Sequence, residues 1–361
     1  MHVWQVGGSG DSRNLDKLFM NYDVMLIGPG DHGDFRTQKY TKTNVGSTDY
    51  SFVRGFACDV AEGDIVILRM GTREVVAVGR VVMDPRNEIP TEAKYQCSPT
   101  YFYVPGFGDI DGWDLQHAHR VIWRSSPKTF NTAVFGAQPS RFSGVNNPEV
   151  VKWAEENCPT EIKNTFAELP LPLESLDDEK AADELFKTGL SLQSVESTIS
   201  SIQRIRRLSK WYHKEGWPFE HEIVGFMTLP LLLSLGWSEQ QLAIEWKRID
   251  IAGFRKIPDD NNKLRRPENC QMVIEVKQFY QGLNAGLNQA REYESRIESR
   301  RPRICVATDG VRFRLIQISG VANDENGSED SSAYMNLEKL TSVNVLQRLM
   351  PGYMNLHFHQ L

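Results

Sequence analysis

Three charged residues have the types and spacing to do chemistry together. Asp250 sits in the apolar run Ile249-Asp250-Ile251, and Glu275 and Lys277 sit in Val273-Ile274-Glu275-Val276-Lys277. Side chains alternate along a strand, so Glu275 and Lys277 point to one face while Ile274 and Val276 turn into a core. A hard cation such as Mg²⁺ takes a few carboxylate oxygens and leaves its other positions to water and substrate phosphate. Asp250 and Glu275 would supply those oxygens, and Lys277 would stand where a water or a phosphate oxygen lies.

The elements that must position these groups follow from the surrounding pattern. A helix is expected from Glu220 to the segment Leu229-Pro-Leu-Leu-Leu-Ser-Leu-Gly-Trp237, and a first strand region from Gln240 to Asp250. Residues 255 to 267 form a polar, basic insert between the two carboxylate-bearing strands. A second helix is expected over Gln278 to Ser299, with Leu283, Leu287, Ala290 and Tyr293 as its inner stripe. Gln289 and Tyr293, four apart, share a face directed at the strands. Cys305-Val-Ala-Thr-Asp-Gly-Val-Arg-Phe-Arg-Leu315 reads as a strand and hairpin turning at Asp309-Gly310.

In this order the pieces resemble the PD-(D/E)xK nuclease superfamily over roughly residues 218–350, in particular the nuclease domain at the start of type I restriction motor subunits. The shared features are a "PLL-x-x-LGW" helix end, a Gln-x-x-x-Tyr helix and the strand and hairpin after it. The resemblance implies a mixed-sheet nuclease domain with Asp250, Glu275 and Lys277 catalytic. It further implies Gln289 and Tyr293 orienting Lys277 and the target phosphate, and Mg²⁺ as cofactor, with Mn²⁺ able to substitute. The metal would be held by Asp250, Glu275 and an acid near the start of the first helix. Glu222 is taken as that acid from its spacing to Pro230, with Glu220 in reserve; a carboxylate there also suits the helix dipole without any metal. Gln289 and Tyr293 could equally form a helix-to-sheet bond with no catalytic part. In the insert, Arg255, Lys256, Lys263, Arg265 and Arg266 would flank the DNA backbone beside the cleaved bond, or else form a solvated loop.

Residues 1–140 read differently. Val3-Trp4-Gln5-Val6, Tyr22–Ile27, Glu62–Leu68 and Val75–Val82 are short strands punctuated by Gly, Asp and Pro, with a closing aromatic strand at Val121-Ile-Trp123. Residues 13 to 21 suit one short helix, and few helices are expected besides. This order resembles the EVE-like branch of the PUA superfamily, whose members precede nuclease domains in modification-dependent (type IV) restriction systems. Such readers swing a nucleotide into a pocket where aromatic faces sandwich the base. The resemblance implies a pocket rimmed by Ser9, Asp31 and His32, with Tyr101 or Tyr103 and Trp113 stacking. Each residue has a plainer reading as core aromatic or turn residue. Where relatives carry Trp directly after the second strand, this chain has Pro29. His117 and His119 would put two imidazoles on one strand face, but no third ligand lies at helpful spacing, so a solvated face is expected rather than zinc.

Between the two parts, residues 141–215 form a connector. Glu149–Asn157 and Asp177–Lys187 are helix-prone, Leu169–Leu173 is proline-stiffened, and Ser191–Tyr212 is a long helix whose last turns carry Arg204, Arg206, Arg207 and Lys210. That basic face is either solvated or a DNA-backbone or dimer contact. The whole chain of 361 residues is thus expected to be a two-domain α+β protein. It would comprise an EVE/PUA-like barrel over 1–140, helical connectors over 141–215 and a PD-(D/E)xK domain over 216–361.

The net charge of −6 excludes a wholesale coating of nucleic acid but leaves room for a local basic groove. Five cysteines without a Cys-x-x-Cys pair suit free thiols in a reducing compartment. No secretory leader or membrane-length apolar run is present, so a cytoplasmic, soluble protein is expected. Gly7-Gly-Ser-Gly10 lacks the Gly-Lys-Ser/Thr of a phosphate loop, and no ATPase motif occurs. Together the resemblances imply a modification-dependent DNA endonuclease in anti-phage restriction, acting on double-stranded DNA that carries a modified base. Cutting both strands needs two active sites, so a homodimer, at least when cleaving, or two bound copies is expected. The alternatives are a nuclease-fold DNA-binding protein without activity, and a defence nuclease whose first domain binds protein.

Overall fold

The computed structural model describes residues 1–10, 13–37, 40–85, 87, 90, 93–135, 142–161, 163, 165–255, 265–279, 281–297, 303–318 and 332–351. The chain divides into two units, Met1–Leu173 and Glu174–Leu361. The residues read as a connector are therefore shared out, 141–173 going with the first unit and 174–215 with the second.

The first unit carries strands β1 (Val3–Gly10) and β2 (Arg13–Asn14), helix α1 (Asp16–Asn21) and strand β3 (Val24–Ile27). Helices α2 (Lys42–Val45) and α3 (Ser47–Asp59) follow, then strands β4 (Ile65–Met70), β5 (Glu74–Val82), β6 (Tyr101–Tyr103), β7 (His117–Thr129) and β8 (Phe142–Gly144), and helix α4 (Pro148–Asn157). Among the described residues the strands make one eight-stranded sheet, curled as a half-barrel, in the order β2-β1-β4-β5-β7-β3, with β6 also on β7 and β8 on β1. β1 and β4 run parallel, which requires a long crossover, and α3 lies within it. Helix α3 departs from the expectation of few helices. Gly55 and its aromatic and β-branched residues blur the helical pattern, yet Val53, Phe56 and Ala57, at i, i+3 and i+4, are all buried.

The second unit begins with helices α5 (Asp178–Lys187), α6 (Leu192–Glu215) and α7 (Glu220–Ile223), continued by a π-helical turn (Val224–Thr228) into α8 (Leu229–Ser234). Strands β9 (Leu242–Trp246), β10 (Ile249–Phe254) and β11 (Cys270–Val276) precede helix α9 (Leu283–Ser295). Strands β12 (Arg303–Thr308), β13 (Arg312–Ile318) and β14 (Ala333–Asn336) and helix α10 (Asn344–Leu349) complete it. Among the described residues the sheet is six-stranded, in the order β14-β13-β12-β11-β10-β9. Among the described strands of this sheet only β11 and β12 are parallel, and α9 is the crossover between them.

Alternation along these strands divides the sheet into two faces. Ile251, Met272, Ile274, Val276, Ile304 and Val306 join one core with residues of α5, α6, α8 and α10. Ala252, Phe254, Val273, Cys305 and Ala307 pack against Leu283, Leu287 and Ala290 of α9 on the other. Helix α9 starts at Leu283 rather than Gln278, because the Lys277 N–H still donates to the Thr308 carbonyl at 2.8 Å and prolongs the ladder. The region Gln240–Asp250 is a tight hairpin, with Trp246 opposite Ile249 and a turn at Lys247-Arg248 whose φ values are 53° and 73°. Among the described residues no helix is long and apolar enough to cross a membrane.

Candidate active site

Asp250 and Glu275 meet because β10 and β11 pair antiparallel. The ladder ends at Ile251↔Ile274, and just beyond it the Asp250 Oδ2 accepts the Val276 N–H at 2.7 Å. Glu275 is 3 % exposed. Its Oε1 accepts from the Lys277 ammonium at 2.8 Å, while its buried Oε2 has no hydrogen-bond partner among the described residues. The ammonium also donates to Gln289 Oε1 at 2.9 Å, and the Gln289 amide donates through Nε2 to the Tyr293 hydroxyl at 2.8 Å. A continuous polar chain therefore runs from Glu275 on β11 through Lys277 to Gln289 and Tyr293, one turn apart on α9.

Gly286, facing this chain from α9, permits the close approach. A Cβ built there would lie 3.1 Å from Lys277 Cγ and 3.2 Å from Ala307 Cβ, so the Lys277 stem lies flat against helix backbone. At the turn after β12, Asp309 accepts from the Arg312 Nε at 2.7 Å, and the Arg312 Nη2 donates to the Gln281 carbonyl at 3.1 Å. That buried pair ties the start of the α9 crossover to the β12–β13 turn. Neither feature was expected from sequence: a helical Gly reads as a weak point, and Asp309-Gly310 reads only as a turn.

The carboxyl of Glu275 is pushed up to about 7, by burial first, with the Lys277 bond opposing and the nearby Asp250 charge adding to the rise. Asp250 is raised too, by burial first, against the lowering effects of the Val276 N–H and Lys277. Two carboxylates desolvated side by side are under electrostatic load that a divalent cation would relieve. With the unpartnered Glu275 Oε2, they form a hard-oxygen donor set suited to Mg²⁺. Among the described residues no group of three or more His, Cys, Asp or Glu side chains is arranged to hold a metal, so the candidate set comprises two carboxylates.

Glu222 does not join them. Its Oε2 accepts the Phe219 N–H at 2.8 Å, capping its own helix, and its charge bears on Tyr212. The acid whose charge reaches Glu275 is Glu220, two residues earlier. Two residues are a little over half a turn of helix, which puts the two acids on different faces, and spacing to Pro230 could not choose between them.

The basic insert is also placed elsewhere. Strand β10 begins beside Asp250 and ends at Phe254, so Arg255 stands about 16 Å further along the strand, at the opposite end of the sheet. Arg265 donates to the Leu242 carbonyl at 2.9 Å, and Arg266 approaches Glu268 at 3.8 Å. Lys256 and Lys263 lie outside the described residues. None of the described arginines flanks the Asp250/Glu275 end as expected, since the sequence of a hairpin does not reveal which strand end a loop must join.

In the first unit the expected pocket residues fall in different settings, some buried and some exposed. Tyr101 is fully buried and does not form a stacking wall. Its hydroxyl accepts from the Phe35 N–H at 3.3 Å and bonds His117 Nδ1 at 2.7 Å. His117 Nε2 lies 2.9 Å from the Pro29 carbonyl, and His119 Nε2 lies 2.8 Å from the Phe56 carbonyl. A carbonyl only accepts, so both imidazoles carry their proton on Nε2, and their Nδ1 atoms accept from Tyr101 and from Thr100 (2.8 Å). Burial lowers both rings from 6.5 to about 4, keeping them neutral. These histidines are therefore internal struts, neither a solvated face nor a zinc pair, and all four ring nitrogens are engaged.

Asp31 is exposed and His32 half-buried, 3.8 Å apart. Their loop lies along the 113–116 segment: Gly30 packs so tightly that a Cβ there would lie 2.2 Å from Gln116 Oε1, and the Tyr103 hydroxyl donates to the Gly30 carbonyl at 2.7 Å. Half-buried Trp113 belongs to that segment, bridged to Ile110. Ser9 lies in β1 opposite Met70, and its side chain is outside the described set. No protein-family model, curated protein or solved structure matches the chain.

Proposed function

We propose that the chain is a Mg²⁺-dependent DNA endonuclease whose first unit reads a modified base. The observation that carries the nuclease reading is the Lys277 ammonium, held at once by Glu275 and Gln289 beside a second carboxylate on the neighbouring strand. Asp250 and Glu275 would hold the cation, with Mn²⁺ able to replace it. When bound there, such an ion supplies Lewis acidity toward a phosphoryl oxygen and acidifies water.

The chain's own residues do the rest. Lys277 offers an N–H to the attacking water or to the charge gathering on the phosphate, preorganised because Gln289 fixes it before substrate arrives. Tyr293 holds the Gln289 amide so that its oxygen, not its nitrogen, faces the ammonium. Glu220 adds negative charge on the side of α7. In the first unit, the loop of Asp31 and His32 beside Trp113 supports the reader proposal, with buried Tyr101 and His117 bracing that loop from beneath. Double-strand cutting calls for two copies of the site, hence a homodimer on substrate.

Cleavage of methylated, hydroxymethylated, glucosylated and plain duplexes tests both halves. Lys277→Ala is expected to lower Mg²⁺-dependent cleavage by roughly 10²–10³, and Asp250→Ala to abolish it. Unchanged cutting by either variant would refute the nuclease reading, and equal rates on all four substrates would refute the reader. A second reading, a DNA-binding protein of the same fold without activity, is favoured by the two-carboxylate donor set. It predicts binding with no cleavage by the unaltered chain.

A further inference from the structure

Four of the five exposed aromatic side chains among the described residues of the second unit lie close together in the chain, Phe186 on α5 being the fifth. Trp211 (52 % exposed), Trp217 (61 %), Phe219 (62 %) and Phe226 (50 %) fall within sixteen residues. Trp211 lies on a face of α6 shared with Arg207, Lys210 and Lys214, at spacings of three and four, all exposed. The opposite face of the same helix buries Val195, Ile202, Ile205, Ser209 and Tyr212. The stripe is thus cationic and aromatic, with Glu215 the acid at its tip, in a chain whose net charge is −6. Helix α6 stops at Gly216, and Trp217 and Phe219 continue the aromatic surface to the head of α7, where the Phe219 and His221 rings stack 5.6 Å apart.

The end of α6 and the turn after it lie near the Lys277 end of the sheet, reached from the stripe through Trp217 and Phe219. Tyr212 and His213, in the last turn of α6, meet the ring of Phe279 at 6.1 and 5.8 Å, and Phe279 is two residues beyond Lys277. Glu220, directly after Phe219, is the helix acid whose charge reaches Glu275.

From this juxtaposition we infer that the outer face of α6 and the turn after it bind an unpaired DNA strand leading to Lys277, with phosphates on Arg207, Lys210 and Lys214 and bases stacked on Trp211, Trp217 and Phe219. Regularly spaced cations alone would suit duplex phosphates, but the exposed Trp211 ring set among them, with Trp217 and Phe219 more than half exposed beyond, suits bases that are not already stacked in a helix. An unpaired strand presents both partners at once. The inference rests on the nuclease reading for its direction: the substrate would be opened, frayed or single-stranded where it passes this face.

Equilibrium binding of the full chain to a thymidine oligonucleotide and to a duplex of equal length, in chelator so that no cutting occurs, tests it. The unaltered chain is expected to favour the single strand. Arg207→Gln with Lys210→Gln should flatten the slope of log affinity against log salt by about 1.4, at roughly 0.7 for each phosphate no longer neutralised. Trp211→Ala with Trp217→Ala should weaken single-strand binding on the order of tenfold or more while leaving duplex binding as it was. Unchanged single-strand binding by either double variant overturns the inference. So does a tryptophan pair whose loss changes only the sedimenting mass, which would make the face a contact between copies. Cleavage is not a readout here, so a chain that fails to cut would sink the nuclease reading without touching this result.

Discussion

Gln289 uses both ends of its amide, its oxygen accepting from Lys277 and its nitrogen donating to Tyr293. The two partners act differently on the site. Gln289→Leu removes the acceptor and frees the ammonium to turn fully onto Glu275, and a misplacement of about 1 Å can cost on the order of 10² in rate. Tyr293→Phe removes only the group that orients the amide, so a smaller loss is expected. Steady-state cleavage rates of the two variants give the order, and equal rates would show that the hydroxyl has a direct part. This polar chain was legible beforehand because strand alternation and a four-residue helical step are both fixed by backbone geometry. The imidazoles of His117 and His119 were not legible. Their -x-spacing places them on one face, but only the three-dimensional position of the Pro29 and Phe56 carbonyls shows that the face is sealed.

At the level of elements, the β9–β10 hairpin that delivers Asp250 turns on Lys247 and Arg248, both in the left-handed region. Two-residue turns of this kind favour Asn-Gly, and side chains such as Lys and Arg are strained there. Replacing Lys247-Arg248 by Asn-Gly is expected to raise the stability of the second unit by about 1 kcal/mol, read as a higher urea midpoint. A fall would mean that the contact of Lys247 with the Trp246 ring, at 5.1 Å, outweighs the strain. Gly286→Ala should do the opposite, pressing Lys277 and Ala307 apart by a few tenths of an ångström and lowering cleavage more than the unfolding midpoint. Strand and helix identities could be read from apolar periodicity, as with β4, β5 and α6. Which end of the sheet receives the basic insert could not, since Arg255 and Asp250 are close in sequence and separated by the length of β10.

For the whole chain, pH should act first on the unit that carries the buried imidazoles. Unfolded, they protonate near 6.5; folded, burial holds them near 4. The unfolded state therefore takes up more protons between those values. This contribution to stability is fully present above about pH 6.5, is lost as pH falls toward about 4, and then levels. At 1.36 kcal/mol per pH unit the loss approaches roughly 3 kcal/mol for each ring. Urea midpoints from about pH 7 to about pH 4.5 check it, and His119→Gln should remove about half of the slope. An unaltered slope would place the acid sensitivity elsewhere. The division at Leu173/Glu174 has its own consequence. The backbone is anchored to the first unit as far as Leu171, whose neighbour Pro170 packs on Gly106, and to the second from Leu176, which bonds the Leu340 carbonyl. Among the described residues each hydrophobic cluster draws on one side of that seam. A break within those few residues would sever none of the described clusters, so each unit made as a separate polypeptide is expected to keep its own core.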